Sequence, residues 1–425
     1  MKQVIFDIVI VGAGPAGLAA ASSAAHAHTS IALIDDNPSP GGQIWRGGPT
    51  HAHQAWFKRA EASNITRYMQ ARVVAAYEPG KLIIETPDEA LEIGYHKLIL
   101  ATGARERFLP FPGWTLPGVM GAGGLQALVK GGLPIAGKRV VIAGSGPLLL
   151  AVASYLKSKG AHVCLLAEQA PLNQLARFAL HLPGHIQYLW QAAALGGSLL
   201  GIPFKTSCWV TRALGEQRLE AIILSQDTRS LSLDCDYLAC GFGLLPNTEL
   251  ASALGCEIQN EAVRVNEWQE SSQQAIYCAG EVTGIGGLEL SLLEGQIAGL
   301  AAIGQAQEAR ALFPARARTR RFAALQARHF ALRPELRALA EPDTIVCRCE
   351  DVTYSALEAH TSWRGAKLHT RCGMGPCQGR VCGSATSLLF GWSRDSIRPP
   401  IVSARVSSLI TTLDTPDKQA SKELA

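Results

Sequence analysis

The sequence predicts an α/β protein with two Rossmann-like βαβ domains, followed by a small, helical, cysteine-rich domain. Two observations predict the first part, because an apolar strand leads into a glycine-rich turn twice, at 12–17 and at 144–149. A third observation predicts the last part, since five of the 11 cysteines fall within the 36 residues from Cys347 to Cys382. A chain of 425 residues is also too long for one hydrophobic core, because single cores stop growing at about 250–300 residues.

Composition and charge exclude several other classes of protein. The net charge is only +4 and no basic stripe is interleaved with aromatics, which argues against a nucleic-acid partner. The uncharged run 140–156 is shorter than the roughly 20 residues that span a bilayer, and it contains glycine and proline. Asp7 interrupts the apolar N-terminus, so we expect a buried first strand and no signal peptide. The six cysteines before Cys347 form no Cys-x-x-Cys pair, which favours a cytoplasmic protein.

The first βαβ unit has the pattern of a dinucleotide site. The apolar run Phe6–Val11 leads into Gly12–Gly17, a Gly-x-Gly-x-x-Gly turn that opens an alanine-rich helix to about residue 28. In this fingerprint the glycines permit a tight turn, approach of the backbone to a pyrophosphate and close helix packing. We expect the helix N-terminus to face the phosphates and Asp35 to bind the adenosine ribose. A glycine-rich turn without a ligand is the alternative. The predicted contacts of the turn are Gly12, Gly14, Pro15, Ala16 and Gly17.

Three further motifs favour FAD over NAD as the ligand of this first site. Ala101-Thr102-Gly103, Tyr277-Cys-Ala-Gly-Glu281 and Gly41-Gly42-Gln43 resemble the remaining FAD motifs of flavoproteins of the glutathione-reductase type. Each motif alone is also compatible with an ordinary turn at a strand end, and Glu281 replaces the more usual Asp. The resemblance implies that FAD also contacts Gly42, Gln43, Thr102, Gly103, Gly280 and Glu281.

The second glycine-rich turn departs from the fingerprint. Leu149 stands where the third glycine would allow close packing of the helix. Ala167, Glu168 and Gln169 follow the second strand, where an arginine would accept the 2′-phosphate of NADPH. We therefore expect no NAD(P) here, and favour a structural domain or one that holds another adenine nucleotide over an NADH site.

The cysteines near the C-terminus have the spacing of a metal site. Cys347-Arg-Cys349 is followed, after 27 residues that include a predicted helix at 353–359, by Cys377-x4-Cys382. Four thiolates suit one metal centre, and zinc sites favour Cys-x2–4-Cys spacing, so an iron–sulfur cluster is favoured over zinc or free thiols.

The stretches Cys347-Arg-Cys-Glu-Asp-Val-Thr and Thr370-Arg-Cys-Gly-Met-Gly-Pro-Cys-Gln-Gly-Arg-Val-Cys-Gly383 resemble the ferredoxin-like domain named after bacterioferritin-associated ferredoxin. The resemblance implies a [2Fe–2S] cluster on Cys347, Cys349, Cys377 and Cys382. Cys372 is a further candidate, and we prefer Cys382 as the fourth ligand. Basic residues would offset the charge of the cluster, although solvation at the surface explains them equally well: Arg364, Lys367, His369, Arg371 and Arg380.

These features predict five regions, the first of which is split into two segments of the chain. The FAD-binding domain is split between 1–115 and 240–308, and the second nucleotide-binding-like domain occupies 116–239. A basic helical linker covers 309–342, the cluster domain 343–413 and a disordered tail 414–425. The arginines of the linker predict a solvated basic face, with a docking patch for an acidic partner as the alternative.

Along nearly the whole chain, these motifs resemble one family, the α-subunits of multi-subunit FAD-dependent amine and imino-acid dehydrogenases. Opine oxidase, hydrogen cyanide synthase and D-hydroxyproline dehydrogenase contain such subunits. The resemblance implies an FAD-dependent oxidoreductase subunit for CH–NH or CH–NH2 donors, of the D-hydroxyproline, opine or glycine class. It also implies a β-subunit similar to D-amino-acid oxidase as partner, and a quinone or other electron acceptor. A further candidate partner is a small ferredoxin-like subunit.

The residues agree with a relay role, because the histidines are isolated in sequence and no acid–base constellation is apparent: His51, His53, His162, His181 and His185. The predicted hetero-oligomer is cytoplasmic, and its complex would place it at the periphery of the inner membrane. The alternatives are a self-sufficient NADH-dependent flavin reductase and a non-catalytic metal-binding interaction subunit.

Overall fold

The computed structural model describes residues 2–25, 29–48, 53–182, 197–226, 229–393 and 397–410. Contacts divide the chain into two units, Met1–Ala104 with Pro246–Arg320 and Ile397–Ala425, and Arg105–Leu245 with Arg321–Ser396. The predicted tail at 414–425, His51 and His185 lie outside the described residues. Within the described ranges, no helix has both the length and the apolar character required to cross a membrane.

The strands of the described chain are, in order, β1 (Lys2–Val11), β2 (Ile31–Ile34), β3 (Ile65–Tyr68), β4 (Arg72–Ala75), β5 (Lys81–Glu85), β6 (Ala90–Leu100), β7 (Ala104–Glu106), β8 (Val119–Gly121), β9 (Arg139–Gly144), β10 (His162–Glu168), β11 (Phe204–Lys205), β12 (Cys208–Leu214), β13 (Ala221–Gln226), β14 (Arg229–Asp234), β15 (Tyr237–Gly241), β16 (Leu244–Pro246), β17 (Ile258–Gln259), β18 (Ala262–Val263), β19 (Ile276–Cys278), β20 (Ile345–Cys347) and β21 (Val352–Thr353).

The helices are α1 (Pro15–Ala24), α2 (Gln54–Arg59), α3 (Ala122–Lys130), α4 (Leu148–Ser158), α5 (Leu172–Ala179), α6 (Glu249–Ala253), α7 (Gly287–Ala302), α8 (Ala306–Ala311), α9 (Phe313–His329), α10 (Tyr354–Glu358), α11 (Trp363–Thr370), α12 (Cys382–Phe390) and α13 (Val406–Ile410). Single turns of 3-10 helix cover Gly280–Thr283 and Pro334–Ala338.

A seven-stranded sheet forms the centre of the first unit. Its order is β3-β2-β1-β6-β5-β4, and β19 pairs with β6. Strand β1 has a parallel neighbour on each side, with Val11 opposite Ile34 and Leu100. The run 8–11 is almost wholly buried, because parallel strands covered on both faces need apolar residues at every position. The carboxyl ends of β1, β2 and β6 therefore meet at one edge, where the predicted FAD residues follow.

The second unit repeats this plan on a five-stranded parallel sheet. The order is β11-β10-β9-β15-β8, and Val140 to Ala143 of β9 are fully buried. The mixed region that follows in the chain forms a three-stranded antiparallel sheet, β12-β13-β14. The predicted α/β fold with two Rossmann-like domains is confirmed.

The cysteine-rich segment that follows is small and mostly helical. Strands β20 and β21 pair as a short antiparallel hairpin, and Thr353 and Ser362 cap α10 and α11 through their side-chain oxygens. The segment has its own apolar cluster and packs within the second unit, where Trp114 Nε1 donates a 2.5 Å hydrogen bond to the Ile345 carbonyl. Contacts thus group 321–396 with the second nucleotide-binding-like unit, while the predicted domain boundaries stay a prediction.

Candidate cofactor and metal sites

The turn between β1 and α1 requires glycine for steric reasons. Gly12 has φ +107°, and a Cβ there would lie 2.2 Å from the Ala101 carbonyl oxygen. A Cβ at Gly17 would lie 1.7 Å from the Gly12 carbonyl oxygen, so α1 can approach the turn only without a side chain at this position. Helix α1 begins at Pro15 and no side chain caps its N-terminus. The backbone at this end is thus suited to bind a phosphate.

Asp35 stabilises the turn from the end of β2. It is buried, and its Oδ2 accepts a 2.6 Å hydrogen bond from the Ala13 amide. Its Oδ1 accepts hydrogen bonds from the amide and the side chain of Asn37, at 2.8 and 2.7 Å. Asn37 Oδ1 in turn accepts a 2.8 Å bond from Arg46. Asn37 and Arg46 were not predicted as site residues, and no motif in the sequence marks them.

The predicted loop at 41–43 closes over the same turn. The Gly41 amide donates a 2.8 Å hydrogen bond to the Ala13 carbonyl. Gly42 has φ +58°, and a Cβ there would lie 3.0 Å from Gly14 Cα. Gln43 follows as an exposed residue. The structure thus brings Gly42 to the glycine-rich turn between β1 and α1.

The second predicted motif, at 101–103, is held by an asparagine that was not predicted. Thr102 Oγ1 donates a 2.7 Å hydrogen bond to the Asn247 carbonyl, and Asn247 Nδ2 donates a 2.9 Å bond to the Thr102 carbonyl. The Asn247 amide also donates to the carbonyl of Gly103, at 2.9 Å. These reciprocal bonds fix the loop that follows β6 beside Gly12.

The third predicted motif packs on helix α1. Gly280 has φ +78°, and a Cβ there would lie 2.7 Å from the Ala16 Cβ. Burial raises the pKa of Glu281, and a hydrogen bond from the Gly287 amide at the start of α7 opposes that rise. Because a Cβ at Gly280 would meet Ala16, the third motif lies beside the start of α1, where Gly42 and Asp35 also meet the glycine-rich turn.

A buried ion pair supports this motif. The Glu294 side chain is 1% exposed, and its Oε2 accepts hydrogen bonds from the Gly280 amide and Thr283 Oγ1, at 3.1 and 2.8 Å. Its Oε1 accepts two bonds from Arg320, the shorter 2.6 Å long. The buried Arg316 bonds Gln269 Oε1 at 3.1 Å. Two arginines of the predicted linker therefore bind buried side chains of the same chain. The sequence predicted either a solvated basic face or a docking patch there, and neither describes these two residues.

The first glycine of the turn between β9 and α4 is required for steric reasons, as Gly12 is in the first unit. Gly144 has φ +152°, and a Cβ there would lie 2.1 Å from the Gly241 carbonyl oxygen. Glu168, 3% exposed, accepts hydrogen bonds from the amides of Gly146 and Ala170, at 2.7 and 2.9 Å. Burial raises the pKa of Glu168, and these amides oppose the rise. Glu168 thus has the structural role that Asp35 has in the first unit.

Leu149 does not prevent this turn from forming. Its side chain is buried, and its Cδ2 lies 2.5 Å from the place where a Cβ of residue 241 would be. Gly241 therefore provides the space that a third glycine would otherwise give.

Five thiols come together in the cysteine-rich segment. The Sγ atoms of Cys347, Cys372 and Cys382 all lie within 4.8 Å of one another, and all three residues are buried. Cys377 and Cys382 share a hydrogen bond, as do Cys349 and Cys377. Cys347 ends β20 and Cys382 begins α12, so regular elements fix the positions of two of the thiols.

Glycines at the 373–375 turn allow the thiol cluster to close. A Cβ at Gly375 would lie 2.3 Å from the Cys349 Cβ, and one at Gly373 would lie 2.5 Å from the Trp363 ring. Arg371, in the left-handed conformation that ends α11, forms a 2.7 Å ion pair with Glu350. Among the basic residues noted in the sequence, Arg371 therefore has a carboxylate partner on the hairpin.

Hydrogen bonds between thiols stabilise negative charge on two of these cysteines. Bonds from Cys372 and then Cys382 lower the pKa of Cys347 to about 2, and a bond from Cys382 lowers the pKa of Cys377 to about 5. As donor to Cys347, Cys372 has its pKa raised to about 12, and the pKa of Cys382 is raised further. Burial raises the pKa of Cys349. This all-thiol set fits a soft metal centre such as an iron–sulfur cluster, and zinc accepts the same donors.

The described histidines from the sequence analysis are not brought together. The ring of His53 lies 5.1 Å from that of Trp45, and the ring of His181 lies 5.8 Å from that of His329. His162 is exposed at the start of β10.

Comparison with known proteins gives a family match, similar subunits of two enzymes and a solved structure with a similar fold. The model of the pyridine nucleotide-disulphide oxidoreductase family matches residues 6–311. Hydrogen cyanide synthase subunit HcnB from Pseudomonas aeruginosa is 34% identical over 92% of each chain. An opine oxidase subunit from Agrobacterium tumefaciens is 29% identical over 93% of this chain and 87% of its own. Among solved structures, L-proline dehydrogenase from P. horikoshii aligns with a TM-score of 0.69 and 18% identity, over 96% of this chain and 80% of that chain.

Proposed function

Since the chain belongs to the pyridine nucleotide-disulphide oxidoreductase family, and within it to the group of hydrogen cyanide synthase subunit HcnB and the matching opine oxidase subunit, we propose that it is the electron-transfer subunit of a multi-subunit dehydrogenase. It is a flavin-dependent oxidoreductase for amine or imino-acid substrates. The D-hydroxyproline, opine and glycine classes are the proposed substrates.

The residues around α1 would hold FAD. The N-terminus of α1 and the amides near Gly12 and Gly14 would bind the pyrophosphate, and Asp35 would orient the adenosine ribose. The loops that contain Thr102 and Gly280 would position the remainder of the molecule. When bound, FAD can accept an electron pair and release single electrons.

The thiol cluster is the main observation in support of an electron-transfer role. Cys347, Cys349, Cys377 and Cys382 would hold a [2Fe–2S] cluster, with Cys372 as the alternative fourth or fifth thiol. Such a cluster transfers one electron at a time. A chain with both an FAD fold and a buried thiol cluster is suited to pass electrons from a partner to an acceptor.

The partner that fits this role is a flavoprotein β-subunit similar to D-amino-acid oxidase, which would oxidise the substrate. A small ferredoxin-like subunit is a further proposed component. The electrons would leave to a quinone or another acceptor, and the complex would then lie at the periphery of the inner membrane.

Coexpression tests whether a β-subunit oxidises the substrate while this chain transfers the electrons. The isolated chain should reduce a redox dye very slowly with each substrate class, and coexpression with a neighbouring β-subunit gene should give substrate-dependent dye reduction. The variant Cys347→Ser should lose that activity in the complex. Cys164→Ser, which changes a thiol outside the cluster, should retain it. Equal activity of the isolated chain and the complex would contradict the proposal.

A further inference from the structure

The second glycine-rich turn, between β9 and α4, is covered by a segment of its own chain. Ser145 Oγ donates a 2.9 Å hydrogen bond to the carbonyl of Phe330. The Phe330 side chain lies against the turn, with its ring 3.7 Å from the place where a Cβ of Gly146 would be. Ser145 and Phe330 both belong to the second unit, although 185 positions separate them in sequence.

Gln169 binds the same segment, which we call the covering segment (residues 330–333). Its Nε2 donates 2.9 Å hydrogen bonds to the Ala331 carbonyl and to Ser145 Oγ, and its Oε1 accepts a 2.9 Å bond from the Arg333 amide. Gln169 is fully buried. All the hydrogen-bonding atoms of its amide group are thus used within the protein.

These contacts fall where a dinucleotide would bind. In the fingerprint the second glycine lets the pyrophosphate approach the backbone, and the residue at the end of the second strand contacts the adenosine ribose. Here the corresponding positions are Gly146, covered by Phe330, and Glu168, followed directly by Gln169.

Contacts on both sides hold the covering segment. The ring of Phe330 lies 5.1 Å from that of Phe178 on α5, in an edge-to-face arrangement. At the other end, the Arg333 guanidinium lies 4.6 Å from the ring of Trp209 on β12. Because aromatic and cation–π contacts flank the hydrogen bonds, displacing the segment breaks all of them together.

We propose that residues 330–333 close the second nucleotide-binding turn, so that this site does not take NADH or another pyridine dinucleotide. Phe330 and Gln169 then determine the source of electrons. The inference rests on the proposed function in one respect: if NADH cannot bind here, the electrons that reach this chain come from the proposed partner protein. Leu149 is not the cause of closure, because Gly241 accommodates it.

Binding of ADP-ribose and NADH to the purified holoprotein tests the inference without a partner or turnover. The opening variant combines Gln169→Ala with Phe330→Gly. The control is Gln174→Ala, which removes a 3.4 Å hydrogen bond to the Arg328 carbonyl but leaves the turn unchanged. A site that is closed nine-tenths of the time binds about tenfold more weakly than an open one. Calorimetry should therefore show at least about tenfold tighter binding of both ligands to the opening variant than to wild type or the control.

If the opening variant binds no better than wild type, whether or not wild type binds, the inference is wrong. Hydrogen exchange of the wild-type protein gives a second measurement that needs no variant. Addition of NADH should leave the exchange rate of the Arg333 amide unchanged, because the covering segment stays in place. Faster exchange of that amide with NADH would show that the dinucleotide displaces the segment, and it would overturn the inference. Neither result depends on whether a β-subunit reduces this chain.

Discussion

Substitution of Arg320 by Met should destabilise the first unit through Glu294. The Glu294 side chain is 1% exposed, whereas that of Arg320 is 40% exposed. Removing one partner of a buried ion pair costs about 3–5 kcal/mol, because the other charge is left buried without compensation. Glu294 retains hydrogen bonds from the Gly280 amide and Thr283, and water can reach the Arg320 side of the pair. We therefore expect a loss of about 2–3 kcal/mol.

Substitution of the other partner, Glu294→Gln, should lower the free energy of unfolding by less, about 1 kcal/mol, because the half-exposed Arg320 can turn to solvent. Adding Glu294→Gln to Arg320→Met should restore at least half of the lost stability, because the uncompensated charge is then removed. This ordering follows from the difference in burial between the two partners.

Calorimetric unfolding measures these differences. For a unit of this size, 1 kcal/mol shifts the midpoint by about 2–4 °C, so Arg320→Met should unfold about 4–12 °C earlier. The control is Arg318→Met, which replaces an exposed arginine on the same helix and should stay within about 2 °C of wild type. Equal shifts for Arg320→Met and Arg318→Met, or a double variant no more stable than Arg320→Met, would refute the reasoning.

Three further predictions concern the two sites. Gly17→Ala should abolish retention of FAD during purification, because its Cβ would overlap the Gly12 carbonyl. Gly197→Ala, whose Cβ would lie within 4 Å of no neighbouring atom of the described residues, should retain the flavin; absorbance spectra distinguish them. Cys347→Ser should lower the iron and sulfide content by more than half, and Cys164→Ser should not, as metal analysis would show; equal loss in both variants would argue against the assigned ligands. In metal-free protein at pH 6.5, Cys377 should react with iodoacetamide faster than Cys164. The pKa of Cys377 is about 5, so this thiol is mostly thiolate at pH 6.5, whereas burial raises the pKa of Cys164. Mass spectrometry gives both rates, and preferential labelling of Cys164 would contradict the prediction.

Local patterns in the sequence predicted the parts of the sites that depend on near neighbours. The strand–turn–helix pattern at 6–17 predicted the glycine-rich turn between β1 and α1, since glycine spacing and strand burial are both local properties. The spacing of the cysteines likewise identified all five thiols that cluster. It did not decide whether Cys372 or Cys382 is the fourth ligand, because the approach of Cys372 to Cys347 and Cys382 depends on how α11 ends at Arg371.

Partners far apart in sequence were not predictable in the same way. Nothing local marks Glu294 as a buried acid, and the arginines of α9 resemble those of a solvated helix. The contact of Phe330 with the second turn joins residues 185 positions apart, and no motif indicates it. The sequence also led us to expect a site weakened by Leu149, whereas the structure accommodates Leu149 beside Gly241 and covers the turn with another segment.

Electron paramagnetic resonance combined with metal analysis tests the central claim, that the thiol cluster is a redox centre for electron transfer. The purified chain should contain FAD and two irons with two sulfides, and dithionite reduction should produce the signal of a reduced [2Fe–2S] cluster. One zinc per chain with no such signal would contradict the claim and identify the cysteines as a structural metal site.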